Sequence, residues 1–197
     1  MLFRSSEAFG ADDCKGPALI RLADTASFLW RAELADCPRD MTRWRTVHEY
    51  AHRMFPKPGA PMADWHVALA DAVTGDDRSM NERIHQLEAA LDEGRYPCGH
   101  AVPALLRGIA AFAKGDFIGA ADTIEPMLPE RERIGGSRAQ VDLVEFTLMK
   151  AYLSAGRPDE VQRLLEERRP GPTSVPVTGI ESVHRSSYGD IDGRQKT

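Results

Sequence analysis

The chain is punctuated at a nearly constant interval. Short breaker runs, ADCPRD (35–40), TGDD (74–77), KGD (114–116) and AGRPD (155–159), begin about 40 residues apart. Each lies between two stretches of helical apolar periodicity. Longer loops, FPKPGAPM, RYPCGH and RERIGGS, separate one pair of stretches from the next. A helix pair that recurs at a fixed period cannot bury its apolar face alone, so neighbouring pairs must stack on one another.

The stretches between the breakers read as about eight helices. Leu19, Leu22, Ala26, Leu29 and Trp30 share one face. Trp44, Val47, Ala51, Met54 and Phe55 share a second, and Trp65, Ala68, Leu69, Ala72 and Val73 a third. Met80, Ile84, Leu87 and Leu91 follow, then Val102, Leu105, Leu106, Ile109 and Phe112, then Phe117, Ala120, Ile124 and Leu128. Val141, Val144, Leu148 and Tyr152 precede the last set, Val161, Leu164 and Leu165. No stretch alternates with period two, so no strand is expected. The predicted fold is all-α: a solenoid of about four helix-turn-helix repeats of tetratricopeptide type. Its clearest repeat is AVPALLRGIAAFAKGDFIGAADTIEPML. There Gly108 and Ala120 fall where the two helices touch and side-chain bulk sets their separation. Residues 1–17 read as an irregular lead-in, 18–169 as the repeat domain, and 170–197 as a flexible tail without periodicity.

Bulk properties exclude several classes. A formal net charge of -5 gives no reason to expect nucleic acid as a partner. No run approaches the roughly 18 apolar residues of a membrane span. Cys14, Cys37 and Cys98 are scattered and without paired spacing, which fits a reducing cytoplasm better than a disulfide framework. No phosphate loop, dinucleotide fingerprint or nucleophile elbow is present, and no cofactor is expected.

One motif argues for chemistry. TVHEYAHRMF (46–55) contains His48, Glu49 and His52 in the order H-E-x-x-H. Histidines at i and i+4 share a helix face and can grip one Zn²⁺, with the glutamate as base. A third donor would have to come from His66 or Asp64. Arg53 follows the second histidine, where zinc proteases carry an uncharged packing residue, and the helix has a face committed to packing. The expected state is therefore two half-exposed histidines without a metal, with a zinc hydrolase as the outlying alternative.

Several blocks, LADTASFLWRAEL, MADWHVALADAVTG, AFAKGDFIGAADTIEPML and RIGGSRAQVDLVEFTLMKAYLSAGR, resemble the C-terminal half of tetratricopeptide repeat protein 38-like proteins. The resemblance spans about 18–170 and implies an α-solenoid with no established catalytic activity. Members carry further repeats in front. A chain lacking them would expose an uncapped end, through which a homodimer is conceivable. Asp-x-His, here Asp64 and His66, recurs in that family at this position. Two expectations follow. The first is an interaction scaffold, more a binder than an enzyme, presenting a concave groove to an unknown protein or peptide. The second is a small-molecule or enzymatic site built from Trp30, Arg31, Asp64, His66 and the loop patch Arg133, Gly135, Gly136, Gln140 and Asp142. A Gly-Gly loop ahead of a helix can hold an anion, whereas Ser137 with Gln140 three residues on spells a capping box. The second expectation requires Arg31, His66 and Asp142 to converge.

Overall fold

The computed structural model describes residues 16–168, 175–180 and 183. Within them the fold is all-helical, with no strand. The helices are α1 (Ala18–Leu34), α2 (Met41–Met54), α3 (Pro61–Thr74), α4 (Asp77–Asp92), α5 (Ala101–Ala113), α6 (Phe117–Ile124), α7 (Arg138–Ser154) and α8 (Pro158–Glu167). They form four antiparallel hairpins, joined within each pair at the predicted breakers.

One device begins the second helix of the first three hairpins. Asp40, Asp76 and Asp116 each accept the backbone N–H three residues on, at Arg43, Ser79 and Gly119. This satisfies a donor that the first helical turn would otherwise leave open. Gly75 closes α3 at φ 76°, a left-handed turn that glycine adopts without strain. The fourth hairpin uses Pro158 at the first turn of α8 instead. After Ile124 the chain tightens into a 3₁₀ stretch, Glu125–Ile134, because Pro126 and Pro129 cannot continue an α-helix. Leu128, expected on the α6 face, lies in that stretch. Met54 is 43% exposed rather than packed.

Helices α1, α3 and α5 lie side by side, and α7 packs on α6, on α8 and back on α1. The last hairpin thus touches the first. Trp30 of α1 donates its indole N–H to Thr147 of α7 at 2.8 Å and stacks near Phe112 of α5, ring centroids 5.4 Å apart. Lys150 of α7 pairs with Asp36 at the end of α1 at 2.8 Å. An extended solenoid would hold these hairpins apart; here they close around a core containing Trp30, Trp44, Trp65 and Tyr152.

Part of the tail departs from expectation. Val177, Ile180 and Val183 are buried in the core. The Thr178 N–H donates to the Leu34 carbonyl at 3.1 Å, closing over the end of α1. These three apolar side chains anchor the segment on the core. The irregular lead-in up to residue 15, with Cys14, and the remaining tail positions lie outside the described residues.

Candidate functional site

Helix α2 places His48 and His52 one turn apart on one face, their ring centroids 4.4 Å from each other. That face looks at α3 and at the α3–α4 turn. Asp71, on α3, is fully buried beneath the histidines. Its Oδ1 lies 2.6 Å from His52 Nε2 and 3.4 Å from His48 Nε2. Asp76 divides its carboxylate: Oδ1 caps α4 and Oδ2 lies 3.1 Å from His48 Nε2. The hydrogen bond to Asp71 and the Asp76 carboxylate raise the His48 pKa above its ordinary value, against the effect of burial. All four side chains can offer one donor atom each within 4.8 Å of one another. The expected third donors are not among them: on α3 Asp64 lies two turns before Asp71, and His66 projects from another face of the helix.

Asp64 is fully buried and belongs to a structural node. Its Oδ1 accepts from Arg83 of α4 at 2.7 Å, and its Oδ2 accepts from the Gly59 N–H at 3.0 Å and the Tyr96 hydroxyl at 3.3 Å. Arg83 also donates to the Phe55 carbonyl at 2.8 Å. Burial raises the Asp64 pKa, and the Gly59 N–H and Arg83 oppose it. This node ties both loops flanking the second hairpin to its helices.

His66 is likewise sealed. Nδ1 lies 2.6 Å from the Met62 carbonyl, which can only accept, so Nδ1 carries the proton. Nε2 then accepts from the Ser27 hydroxyl of α1 at 3.0 Å. Burial lowers the His66 pKa to about 3. The serine–histidine pair has the bonding of a nucleophile and its base. Ser27 is only 2% exposed and His66 0%, so no substrate reaches either.

The remaining residues of the second expectation meet in part. Arg31 donates to the Ala139 carbonyl in the first turn of α7. Burial lowers its pKa, Asp142 and Asp24 oppose that, and its charge disfavours a proton on His66. A side chain at Gly135 would meet Met62, whose carbonyl holds His66. Gln140 folds back to accept the Ser137 N–H at 2.9 Å, so the loop is occupied by a capping box. Asp142 pairs with Arg168 at 2.8 Å, and Arg133 pairs with Glu130 at 3.2 Å. Trp30, Asp64 and His66 therefore serve the core, and Asp142 and Arg133 are held by ion pairs.

Two openings remain among those described. One, about 530 Å³, lies between the 3₁₀ stretch, α7 and α8. Its arginines are already matched: Arg131 to Glu145, Arg138 to Asp142, Arg163 to Glu125, and Arg168 to Asp142 and Glu145. The other, about 230 Å³, opens where α1, α5 and α7 meet. The edges of Trp30, Leu34, Phe112 and Phe117 form its floor, with Glu33, Arg39 and Lys150 on its rim.

Compared with models of known families, with curated proteins and with solved structures, the chain matches none.

Proposed function

We propose that the chain is a helical-hairpin interaction module of tetratricopeptide type, and that it works by holding one apolar side chain of a peptide partner. The observation that carries this reading is the aromatic-floored groove between α1, α5 and α7. Its volume of about 230 Å³ is below the roughly 300–1,000 Å³ of sites that enclose a small-molecule ligand. It suits a single large side chain inserted from an extended segment. Lys150 and Arg39 stand at the rim, paired with Asp36 and Glu33. An acidic residue beside the inserted side chain would exchange with those carboxylates. The burial of Ser27, His66 and Asp64 argues against catalysis at these residues, because no substrate reaches them.

The test is selection from a displayed peptide library. Peptides enriched on the wild-type chain carry an aromatic or large aliphatic residue next to Asp or Glu. They lose binding to Ala113→Arg, which fills the groove from its wall without touching the core. Equal binding to an Ala113→Arg variant with unchanged thermal stability would refute the groove reading.

A further inference from the structure

We infer that His48, His52, Asp71 and Asp76 form a binding site for one divalent transition-metal ion, which pins the first hairpin to the second. The site draws on three parts of the chain. Helix α2 supplies both imidazoles, α3 supplies Asp71, and the turn into α4 supplies Asp76.

The donor spacing suits the ion. Bonds of about 2.0–2.2 Å to a tetrahedral centre put neighbouring donors about 3.3–3.6 Å apart. His48 Nε2 lies 3.4 Å from Asp71 Oδ1 and 3.1 Å from Asp76 Oδ2. The 2.6 Å contact between His52 Nε2 and Asp71 Oδ1 would open by less than an ångström. The farthest donors are within 4.8 Å. Both imidazoles project from a single face of one helix, with ring centroids 4.4 Å apart.

A second, independent observation lies at the floor. The Asp71 side chain is 0% exposed, and its Oδ2 has no hydrogen-bond partner. Burying a carboxylate with an unsatisfied oxygen is costly unless a cation compensates it. Arg83, the cation of the buried ion pair between α3 and α4, is committed to Asp64. Asp71 and Asp76 carry two negative charges, which one dication neutralises. Two imidazole nitrogens and two carboxylate oxygens are a donor set for Zn²⁺, Co²⁺ or Ni²⁺ and a poor one for Ca²⁺, which takes oxygens alone.

The same geometry separates this site from the zinc-protease reading of H-E-x-x-H. Four protein donors complete a tetrahedral ion and leave no position for an attacking water, which is the arrangement of a structural site. Glu49 is exposed on α2 and is not among the donors. The ion's work is mechanical: it joins α2 to α3 and to the start of α4.

The experiment uses the full chain without a histidine tag, stripped with a chelator and titrated with ZnCl₂ by calorimetry, with Co²⁺ absorption as a second readout of tetrahedral geometry. One ion per chain is expected, with a rise in melting temperature. His52→Gln and Asp71→Asn should each weaken binding by at least about tenfold, the scale on which metal sites respond to lost support. His85→Ala and His100→Ala, both exposed and remote from the cluster, should bind like wild type. Should Asp71→Asn fail to fold, His48→Gln and His52→Gln carry the test, since both side chains are partly exposed. No saturable binding by the folded wild type overturns the inference. So does binding that survives His48→Gln and His52→Gln together, or that falls equally with His85→Ala.

Discussion

Replacing Gly108 with alanine tests the close approach of α5 and α6. A methyl group built on Gly108 would lie 2.3 Å from Ile124 Cγ1 and 2.9 Å from its Cδ1. Ile124 is itself fully buried, so it has no solvent to retreat into. Over-packing of this kind costs about 1–3 kcal/mol, and a 2.3 Å contact belongs at the upper end. Alanine in a helix interior returns about 1 kcal/mol over glycine. The net expectation is a loss of about 1–2 kcal/mol, or about 2–8 °C in melting temperature for a chain of this size. Urea unfolding followed by circular dichroism measures it. The decisive step is the background. Ile124→Ala alone costs about 2–5 kcal/mol for the cavity it leaves, but it removes both clashing atoms. On that background Gly108→Ala should become stabilising by about 1 kcal/mol. A neutral or stabilising Gly108→Ala in the otherwise wild-type chain, or the same sign in both backgrounds, would refute the account of α5–α6 packing.

Three further outcomes follow from the buried polar groups and the tail. Asp64→Ala should cost about 3–5 kcal/mol in urea unfolding, because it strands the buried Arg83; adding Arg83→Met should recover part of that loss. His66 has an ordinary pKa of about 6.5 in the unfolded chain and about 3 in the folded one. Between those values the unfolded chain holds the extra proton, so stability is full above about pH 6.5 and falls as the pH drops. Between pH 7 and pH 5 this contributes a loss of about 2 kcal/mol, which should be missing from His66→Gln when the two pH profiles are compared. Ile180→Ala should cost about 2 kcal/mol or more, as a core truncation does; a change within about 0.5 kcal/mol, the range of exposed positions, would show that the tail segment does not hold the bundle.

The hairpin plan was legible because it is local. Breakers with aspartate caps at 40, 76 and 116 act on the next turn of chain, and apolar residues at helical spacing need only one partner face. Gly108 and Ala120 were readable for the same reason, since they describe a contact within one hairpin. Helix α3 was read only in part. The apolar stripe from Trp65 to Val73 is one face, yet Asp64, His66 and Asp71 on its other faces are also buried. The helix is enclosed by α1, α2, α4 and α5, and no periodicity in its own residues announces four neighbours. The missed metal donors have that origin. H-E-x-x-H marked His48 and His52, but the third donors read from the sequence were His66 and Asp64, and nothing in the spacing pointed to Asp71 or Asp76.

The amino-acid sequence by itself determined the helices, their caps and their pairing, because those depend on side chains a few residues apart. Tertiary structure alone decided which polar groups are sealed and which meet. It turned the last hairpin back onto the first through Trp30 and Thr147, and it brought part of the tail over Leu34. It also set Asp71 and Asp76 against the two histidines of α2. The physical reason is that burial and charge neighbourhood are properties of surfaces that distant segments share. Their energies are fixed by which helices enclose a residue, and the spacing of letters along one helix does not contain that information.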